Sequence, residues 1–402
     1  MKTLPNRICG LLVPLFLLLT LPAVGQAQFE GYTSDGGFII THYAGSGGAV
    51  TIPDSIEGLP VIGIGDTAFA GANLLNTAIY PGINMTSITI PDSVTNMGNY
   101  AFYYCTNLTS VNILAGVSRI STGEFCYCTS LTNIAIPDSI ISIGDRAFEV
   151  CGSLKNIKIG NGVTNIGSSA FYDCGGLTNI VIPSSVTNIG DFAFILCFNL
   201  MAITVDAGNP NYSSAVGILF NKNQTKLIEF PGGIGGSRTV PGTVTSIGNG
   251  AFADCFQLTS ITIPASVTNI GDYAFSLCTH LSGIYFKGNP PIASLDVFQY
   301  DNNATVYYLP GTVGWLSSFG GIQTVLWDPG VTTTKANFGV RNNRFGFTIT
   351  GTASIPIVVE ASTNFGNAWV PLQSVSITNG SFYFSDPQWT NFPGRFYRLR
   401  SP

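Results

Sequence analysis

Cysteine is the residue type whose spacing in this sequence could most directly support chemistry. Seven of the nine cysteines follow a phenylalanine by three residues, beginning with Phe102 and Cys105. Such a series in an exported protein could form disulfides. However, equivalent positions on adjacent strands lie ~4.8 Å apart with parallel side chains, whereas a disulfide needs facing Cβ atoms about 3.8 Å apart. We therefore predict a ladder of reduced, packed thiols, with Cys126, at a variable position, partly exposed and the most reactive.

Aspartates recur at another fixed position, three residues before a phenylalanine: Asp145, Asp191 and Asp272. Stacked carboxylates at this spacing could bind calcium. The equivalent positions of neighbouring segments hold uncharged residues that are good helix caps: Ser168, Asn99 and Asn249. We therefore interpret the aspartates as helix N-caps rather than as metal ligands.

The remaining chemical patterns do not predict an enzyme. Gly63 to Ala68 fits the dinucleotide motif Gly-x-Gly-x-x-Ala, but that motif needs a long following helix, and here it is the turn of a repeated segment. The two histidines, His42 and His280, are far apart and lack a carboxylate or nucleophile pattern around them. We predict no catalytic residue, no metal ligand and no cofactor.

Composition excludes two further classes of protein. Of the 402 residues only 9% are charged and 45% are hydrophobic, which does not suit a disordered chain. The 16 basic residues face 21 acidic ones and form no basic run, so we predict no nucleic-acid partner.

The elements that would position these residues are internal repeats. The phenylalanines from Phe102 to Phe194, and again from Phe252 to Phe298, are 23 residues apart. In each unit a stretch such as Leu177 to Ile182 alternates like a half-buried strand and ends at a proline such as Pro183. A glycine turn and about one helical turn of Ala-Phe-x-x-Cys follow. We predict an α/β repeat solenoid with a parallel sheet on one face and short helical turns opposite.

The unit Ile-Pro-x-Ser-Val-Thr-x-Ile-Gly-x-x-Ala-Phe-x-x-Cys-x-x-Leu resembles the BspA-like leucine-rich repeats of bacterial surface proteins, over roughly residues 29–327. The resemblance implies a leucine-rich-repeat fold and attachment to the cell surface. Some relatives are host-matrix adhesins, but host binding does not follow from the repeats alone.

Four segments are expected along the chain. Residues 1–27 have a basic start, a short apolar run and small residues at the end, which predicts a secretory signal peptide and no transmembrane segment in the mature chain. Residues 28–60 are predicted as a β-hairpin cap, in which Phe38–Tyr43 pairs with Ala49–Ile52. Residues 61–330 hold the repeats, with an inserted hairpin at about 206–240.

Residues 331–402 are predicted to form a small antiparallel β-sandwich. The stretch from Val359 to Asn364, together with Trp369 and residues 395–399, resembles a C-terminal module of exported bacterial proteins. Residues 28–330 hold 8 basic and 19 acidic residues, a net −11, whereas residues 331–402 hold 6 and 2, a net +4. This module could dock to an anionic component of the envelope.

A partner is expected on the outward side chains of the parallel strands. One outward row is small and nearly uniform; the other varies and supplies the candidate ligand-binding residues Asn112, Lys158, Val181, Thr204, Thr262 and Tyr285. Lys158 and Tyr285 are the expected anchors. The inserted hairpin near Lys222 and Lys226 is expected to border one side of this outward face.

The sequence favours an exported or cell-surface scaffold that binds a protein or a polysaccharide through this face. A structural spacer arm of the envelope is the alternative. A polymer hydrolase is disfavoured, because the outward rows offer neither paired carboxylates nor a histidine-centred group.

Overall fold

The structure, a computed structural model, describes residues 28–400 apart from 74–77, 302, 335, 352–355, 365–367 and 379. The predicted signal peptide therefore lies outside the described residues, as does Cys9. Within the described part of the chain, no helix is both long enough and apolar enough to span a bilayer.

The N-terminal strands are β1 (Phe29–Ser34), β2 (Gly37–Tyr43), β3 (Gly48–Thr51), β4 (Ser55–Ile56) and β5 (Leu59–Ile64). The hairpin predicted between β2 and β3 is wrong: β2 pairs antiparallel with β1, and β3 runs parallel to the later strand Met85–Ile90. The reason is that β3 is already a repeat strand. The residues after it, Ile52-Pro53-Asp54-Ser55, carry the Ile-Pro-x-Ser of the repeat unit.

The regular coils contain a short 3₁₀ helix (Pro81–Asn84) and eleven strands. These are β6 (Met85–Ile90), β7 (Asn96–Met97), β8 (Ser110–Ile113), β9 (Arg119–Ile120), β10 (Asn133–Ala135), β11 (Ser142–Ile143), β12 (Asn156–Lys158), β13 (Asn165–Ile166), β14 (Asn179–Ile182), β15 (Asn188–Ile189) and β16 (Ala202–Val205).

Each coil contributes to two parallel ladders. The main ladder runs β3-β6-β8-β10-β12, and the parallel pair β14-β16 belongs to the next two coils. The second ladder, at another corner of each coil, runs β9-β11-β13-β15. Consecutive coils thus stack strand on strand, which is a leucine-rich-repeat solenoid.

Across the described coils the Ala-Phe-x-x-Cys segments are turns rather than helices, and only the last coil has a 3₁₀ helix at this place (Leu295–Phe298), which corrects the α/β description of the solenoid. Two residues in each Ala-Phe-x-x-Cys turn have left-handed backbone, as at Arg146 (φ 56°) and Val150 (φ 59°), which flank Phe148. An α-helix needs negative φ at every residue. Alternate amides of the turn bond to the next coil, as Phe148 N–H does to the carbonyl of Ala170 at 2.8 Å, while those between them bond within the coil, as Glu149 N–H does to the carbonyl of Arg146 at 3.1 Å.

The core is a stack of phenylalanine rings. The rings of Phe148 and Phe171 are parallel, with centroids 5.4 Å apart, and the stack extends from Phe69 to Phe194. A cysteine ladder runs beside it. Each thiol donates to a phenylalanine carbonyl of an earlier coil, as Cys174 Sγ does to the carbonyl of Phe148 at 3.2 Å. Each buried thiol therefore donates a hydrogen bond to a buried carbonyl, a contact that an apolar side chain in its place could not make.

The solenoid continues through an inserted segment to its C-terminal coils. The strands are β17 (Tyr212–Ala215), β18 (Ile218–Asn221), β19 (Lys226–Glu229), β20 (Gly236–Thr239), β21 (Ser246–Ile247), β22 (Leu258–Ile263), β23 (Asn269–Ile270), β24 (Gly283–Phe286), β25 (Thr305–Tyr308), β26 (Ser318–Phe319) and β27 (Ile322–Leu326), with a 3₁₀ helix at Leu295–Phe298. β17, β18 and β19 pair antiparallel, and β19 then joins β21 and β23 in parallel.

The main ladder of the C-terminal coils runs β20-β22-β24-β25-β27. The core is divided at the insertion: one cluster of buried side chains ends at Leu219, and a second begins at Phe220.

The C-terminal residues form two antiparallel sheets. Their strands are β28 (Gly330–Thr332), β29 (Phe338–Arg341), β30 (Arg344–Thr350), β31 (Pro356–Ser362), β32 (Val370–Ser376), β33 (Ser381–Asp386) and β34 (Phe396–Arg400), with a 3₁₀ helix at Trp389–Asn391. One sheet holds β28, β29, β30 and β33; the other holds β31, β32 and β34. Both contribute to one apolar core that includes Ile349, Val359 and Phe384.

Candidate functional site on the strand face

The main ladder presents alternate side chains outward because each strand is extended. On β14, Asn179 and Val181 are exposed while Ile180 and Ile182 are buried. The same alternation on the other coils lines up equivalent positions 23 residues apart. We call the outward side of β8, β10, β12, β14 and β16 the strand face.

Four of the six candidate residues lie exposed on the strand face: Asn112, Lys158, Val181 and Thr204. Val181 and Thr204 are direct partners in the parallel register of β14 and β16. Lys158 pairs in register with Ala135. The structure thus brings a cation and an exposed apolar side chain to equivalent positions of consecutive coils.

Tyr285 and Thr262 do not belong to this surface, so their assignment as exposed ligand contacts is wrong. Tyr285 is only 4% exposed, and Thr262, its register partner, is 3% exposed. The Tyr285 ring folds back over Gly283, stacks on Tyr307 at 4.9 Å and meets Trp327 edge-on at 6.1 Å. Burial raises the pKa of the Tyr285 hydroxyl.

Alternation alone could not reveal this burial. Alternation is the same in every coil, but the last coils add aromatic residues beside Tyr285. The sequence signal that could have shown it was Tyr307 at the equivalent position of β25.

The lysines of the inserted hairpin do not border the strand face as predicted. Lys226 pairs with Ser246 in the second ladder, so it faces away from the strand face. Lys222 is held by backbone, since its Nζ donates to the carbonyl of Asn209 at 2.6 Å. Instead, Gly217 reaches the main ladder, where its carbonyl accepts the amide of Ile203 at 2.8 Å.

The predicted helix caps have another role, because there is no helix for them to cap. Asp145 Oδ1 accepts the amide of Ser168 in the next coil at 2.8 Å, and Asn249 Oδ1 accepts that of Asp272 at 3.1 Å. These side chains tie coil to coil. Within the described ranges, no three His, Cys, Asp or Glu side chains come together as a metal site.

Cys126 is also placed differently from the prediction. It is 3% exposed rather than partly exposed, and its Sγ donates to Glu149 Oε2 at 3.6 Å. Burial, with the nearby Glu149 carboxylate, raises the pKa of the thiol, which disfavours the reactive thiolate. All eight described cysteines are buried and unpaired by disulfides.

Several acidic side chains are buried in the turns of the coils rather than on the strand face. Burial raises the pKa of Glu124 to about 8 and those of Asp254 and Asp301 to about 7. Glu124 occupies the position of the repeat alanine and Asp301 that of the repeat cysteine. Their altered pKa values thus follow from packing into the repeat.

Ion pairs neutralise part of the positive charge of the C-terminal module. Glu360 accepts hydrogen bonds from both Arg398 and Arg400 at 2.7 Å, and Arg395 pairs with Asp386 at 2.7 Å. The two arginine bonds lower the pKa of the Glu360 carboxyl against the opposing effect of burial.

Arg341 and Arg344 remain as an exposed pair beside the turn between β29 and β30. Between the sheets of this module lies an open groove of about 480 Å³ lined by apolar residues such as Phe338 and Phe345.

Comparison with known proteins points to one family. Residues 64–201, 118–234 and 236–319 match the model of the BspA type leucine rich repeat region, in six copies. A leucine rich cell surface protein of Faecalibacterium prausnitzii is 26% identical with a TM-score of 0.54, over 77% of this chain and 94% of that one.

Two other solved structures are similar. A leucine-rich repeat protein from Eubacterium ventriosum is 25% identical, with a TM-score of 0.51 over 70% of this chain and 77% of that one. The pneumococcal vaccine antigen PcpA is 19% identical, with a TM-score of 0.56 over 70% and 79%, which shows a shared fold alone. No curated protein matches the sequence significantly.

Proposed function

The chain belongs to the BspA type leucine-rich repeat family, and on that premise we propose that it is an exported cell-surface scaffold that binds a partner through its strand face. The observation that carries the proposal is the run of exposed outward positions from Asn112 to Thr204, with Lys158 and Val181 on consecutive coils. An exposed lysine beside an exposed valine offers a protein partner both a charge to complement and apolar area to bury. A polysaccharide is the second partner class compatible with the polar background.

Binding without catalysis is the function that fits this face. Lys158 is the only charged side chain in the two predicted outward rows. Hydrolysis of a glycoside needs two carboxyl groups across a cleft, and serine hydrolases need a histidine-centred group. We therefore propose no enzymatic activity for this surface.

Attachment to the envelope is proposed for the C-terminal antiparallel module, which we treat as a β-sandwich. Three of its arginines are held in ion pairs with Glu360 and Asp386, which leaves Arg341 and Arg344 as the described arginines of the module outside these pairs. These two side chains support docking to an anionic envelope polymer. The signal peptide of residues 1–27 remains the predicted route of export.

The test is capture from envelope extracts, host-matrix proteins and polysaccharides by the protein lacking residues 1–27. A double variant, Lys158→Glu with Val181→Asp, should lose the captured partner. The control is Ile141→Asp, since Ile141 is as exposed as Val181 but lies beside the second ladder.

A spacer arm predicts a different result. It would capture nothing through the solenoid, and the wild type and both variants would behave alike. Residues 331–402 used alone report whether a partner belongs to the C-terminal module instead.

A further inference from the structure

The second ladder is interrupted at the insertion. It ends at β15 and resumes at β19, and the stack of phenylalanine rings that reaches Phe194 begins again at Phe230. After β15, the next regular segment at this corner of the solenoid is Gly248 to Gly250, and it packs against Phe192. The coil between these two segments is therefore shortened at the corner, and the shortening leaves a gap between the two neighbouring coils.

The gap is a cavity of about 310 Å³, near the lower limit of the ~300–1,000 Å³ of small-molecule sites. We call it the ladder-break cavity. Its lining combines polar side chains with an aromatic ring: Asp191, Phe192, Tyr212, Lys226, Glu229 and Asn249.

Backbone donors at this cavity lack the partners that they have elsewhere. In the preceding coil the amides of Ser169, Phe171 and Asp173 donate to carbonyls of the next coil. The equivalent amides of Phe192, Phe194 and Leu196 have no such partner within the described chain. Two of these residues, Phe192 and Phe194, line the cavity. A ligand with hydroxyl groups could supply the missing acceptors.

A buried carboxyl group lines the same cavity. Glu229 is 5% exposed, and its side chain makes no hydrogen bond or ion pair with any described residue. Burial, with the Asp254 carboxylate as a smaller cause, raises the pKa of Glu229 well above its ordinary value, which favours the neutral acid. A neutral carboxyl group both donates and accepts hydrogen bonds.

The other polar groups are held in place by the fold. Asn249 Nδ2 donates to Asp191 Oδ2 at 3.0 Å, which spans the break. The Tyr212 hydroxyl accepts the amide of Ile189 at 2.9 Å, a role that the Ile292 carbonyl performs for Ile270 in a regular coil. The hydroxyl proton of Tyr212 is therefore left to donate.

We propose that the ladder-break cavity binds one neutral sugar residue. The volume fits a single pyranose ring, the donors and acceptors alternate as sugar hydroxyls require, and the Phe192 ring offers an apolar surface for the C–H side of the ring. Asp191 and Lys226 balance in charge, so the site favours a neutral sugar over an acidic one. This site is separate from the strand face and does not rest on the function proposed for it.

The test titrates the full chain with a panel of neutral methyl pyranosides of glucose, galactose, mannose, rhamnose and N-acetylglucosamine, observed by ligand-detected NMR and calorimetry. At least one glycoside should bind, and Asp191→Ala should weaken it about tenfold to a hundredfold, since it removes a charged hydrogen-bond acceptor. The matched control is Asp145→Ala at the same repeat position of another coil, where the aspartate lies outside the ladder-break cavity, and it should leave binding unchanged.

A second variant keeps the test decisive if Asp191→Ala disturbs folding. Asn188 is exposed at the mouth of the cavity, so Asn188→Trp should block binding, whereas Asn269→Trp at the equivalent position of β23 should not. The proposal is overturned if no pyranoside binds, or if a bound one is insensitive to both cavity variants. Binding of an extended peptide at Asp191 in place of a sugar would also overturn it.

Discussion

Replacing Glu124 by Gln should change how the stability of the solenoid depends on pH. Glu124 is fully buried in the turn of a coil, where Oε2 accepts the amide of Ser121 at 2.6 Å. Burial raises its pKa from 4.5 to about 8, although the Ser121 amide and Arg119 act in the opposite direction. The folded state thus keeps a proton that the unfolded state releases above about pH 4.5.

The sign and size of the effect follow from this difference. The contribution of the neutral carboxyl is fully present below the unfolded pKa and is lost as pH rises through the folded pKa. Each pH unit between the two values weakens folding by about 1.4 kcal/mol, for a total of about 4 to 5 kcal/mol by pH ~9. Gln is neutral and similar in shape, and its Oε1 can accept the same amide, so Glu124→Gln should be free of this loss.

Urea unfolding at intervals between pH ~5 and ~9, followed by circular dichroism, measures the effect. Asp254 and Asp301 also titrate in this range, but they are common to both proteins and cancel in the difference. The variant should resemble the wild type at pH ~5 and exceed it by several kcal/mol at pH ~9. Glu30→Gln, on the exposed strand β1, supplies the baseline. Equal pH slopes for wild type and Glu124→Gln would show that Glu124 does not keep its proton in the folded state.

Three further predictions follow from the packing. Thiol reagents should label the native protein much more slowly than the urea-unfolded, unreduced protein, and Cys126 should be labelled no faster than the other buried cysteines. Equal counts of reactive thiols in the native and the unfolded protein would contradict the reduced ladder. Phe148→Ala should lower the free energy of unfolding by about 3–5 kcal/mol, because the ring is fully buried between two stacked neighbours, while Phe148→Leu should cost clearly less in the same urea titration. Tyr285→Ala should destabilise by about 3 kcal/mol, whereas Lys158→Ala should leave the unfolding midpoint unchanged; the reverse order would place Tyr285 back on the surface.

The repeat period, the parallel strands and the buried rows could be predicted from the sequence because they depend on a pattern that recurs many times. The in-register series of Phe, Cys and Leu places each of these side chains in the core, and all of them are buried where the pattern holds. Repetition averages out the ambiguity of any single segment. The fold family follows from the same recurrence.

The turns could not be predicted in the same way. Ala-Phe-x-x-Cys has helical spacing, but at positions such as Tyr127 and Val150 a positive φ accompanies an amide that bonds to the next coil. Non-glycine residues adopt this backbone only when the surrounding structure compensates for it. That compensation is a property of the stack and is absent from any one unit.

The candidate site was predictable only where neighbouring coils are regular. Lys158 and Val181 are exposed as alternation requires, whereas Tyr285 is covered by residues that follow it in the chain. The ladder-break cavity arises from a coil that departs from the repeat. Its lining joins Asp191 to Asn249, two residues whose proximity depends on how the insertion folds.

Site-specific photocrosslinking tests the proposed function most directly. A photoreactive phenylalanine analogue placed at Val181, on the strand face, or at Ile141, beside the second ladder, probes two positions of nearly equal exposure, 54% and 55%. On intact cell surfaces and matrix proteins, we expect a discrete crosslinked partner from position 181, lost when Lys158 is replaced by Glu, and no such product from position 141. Equal crosslinking from both positions, or none from position 181 while the wild type still captures a partner, would contradict binding through the strand face.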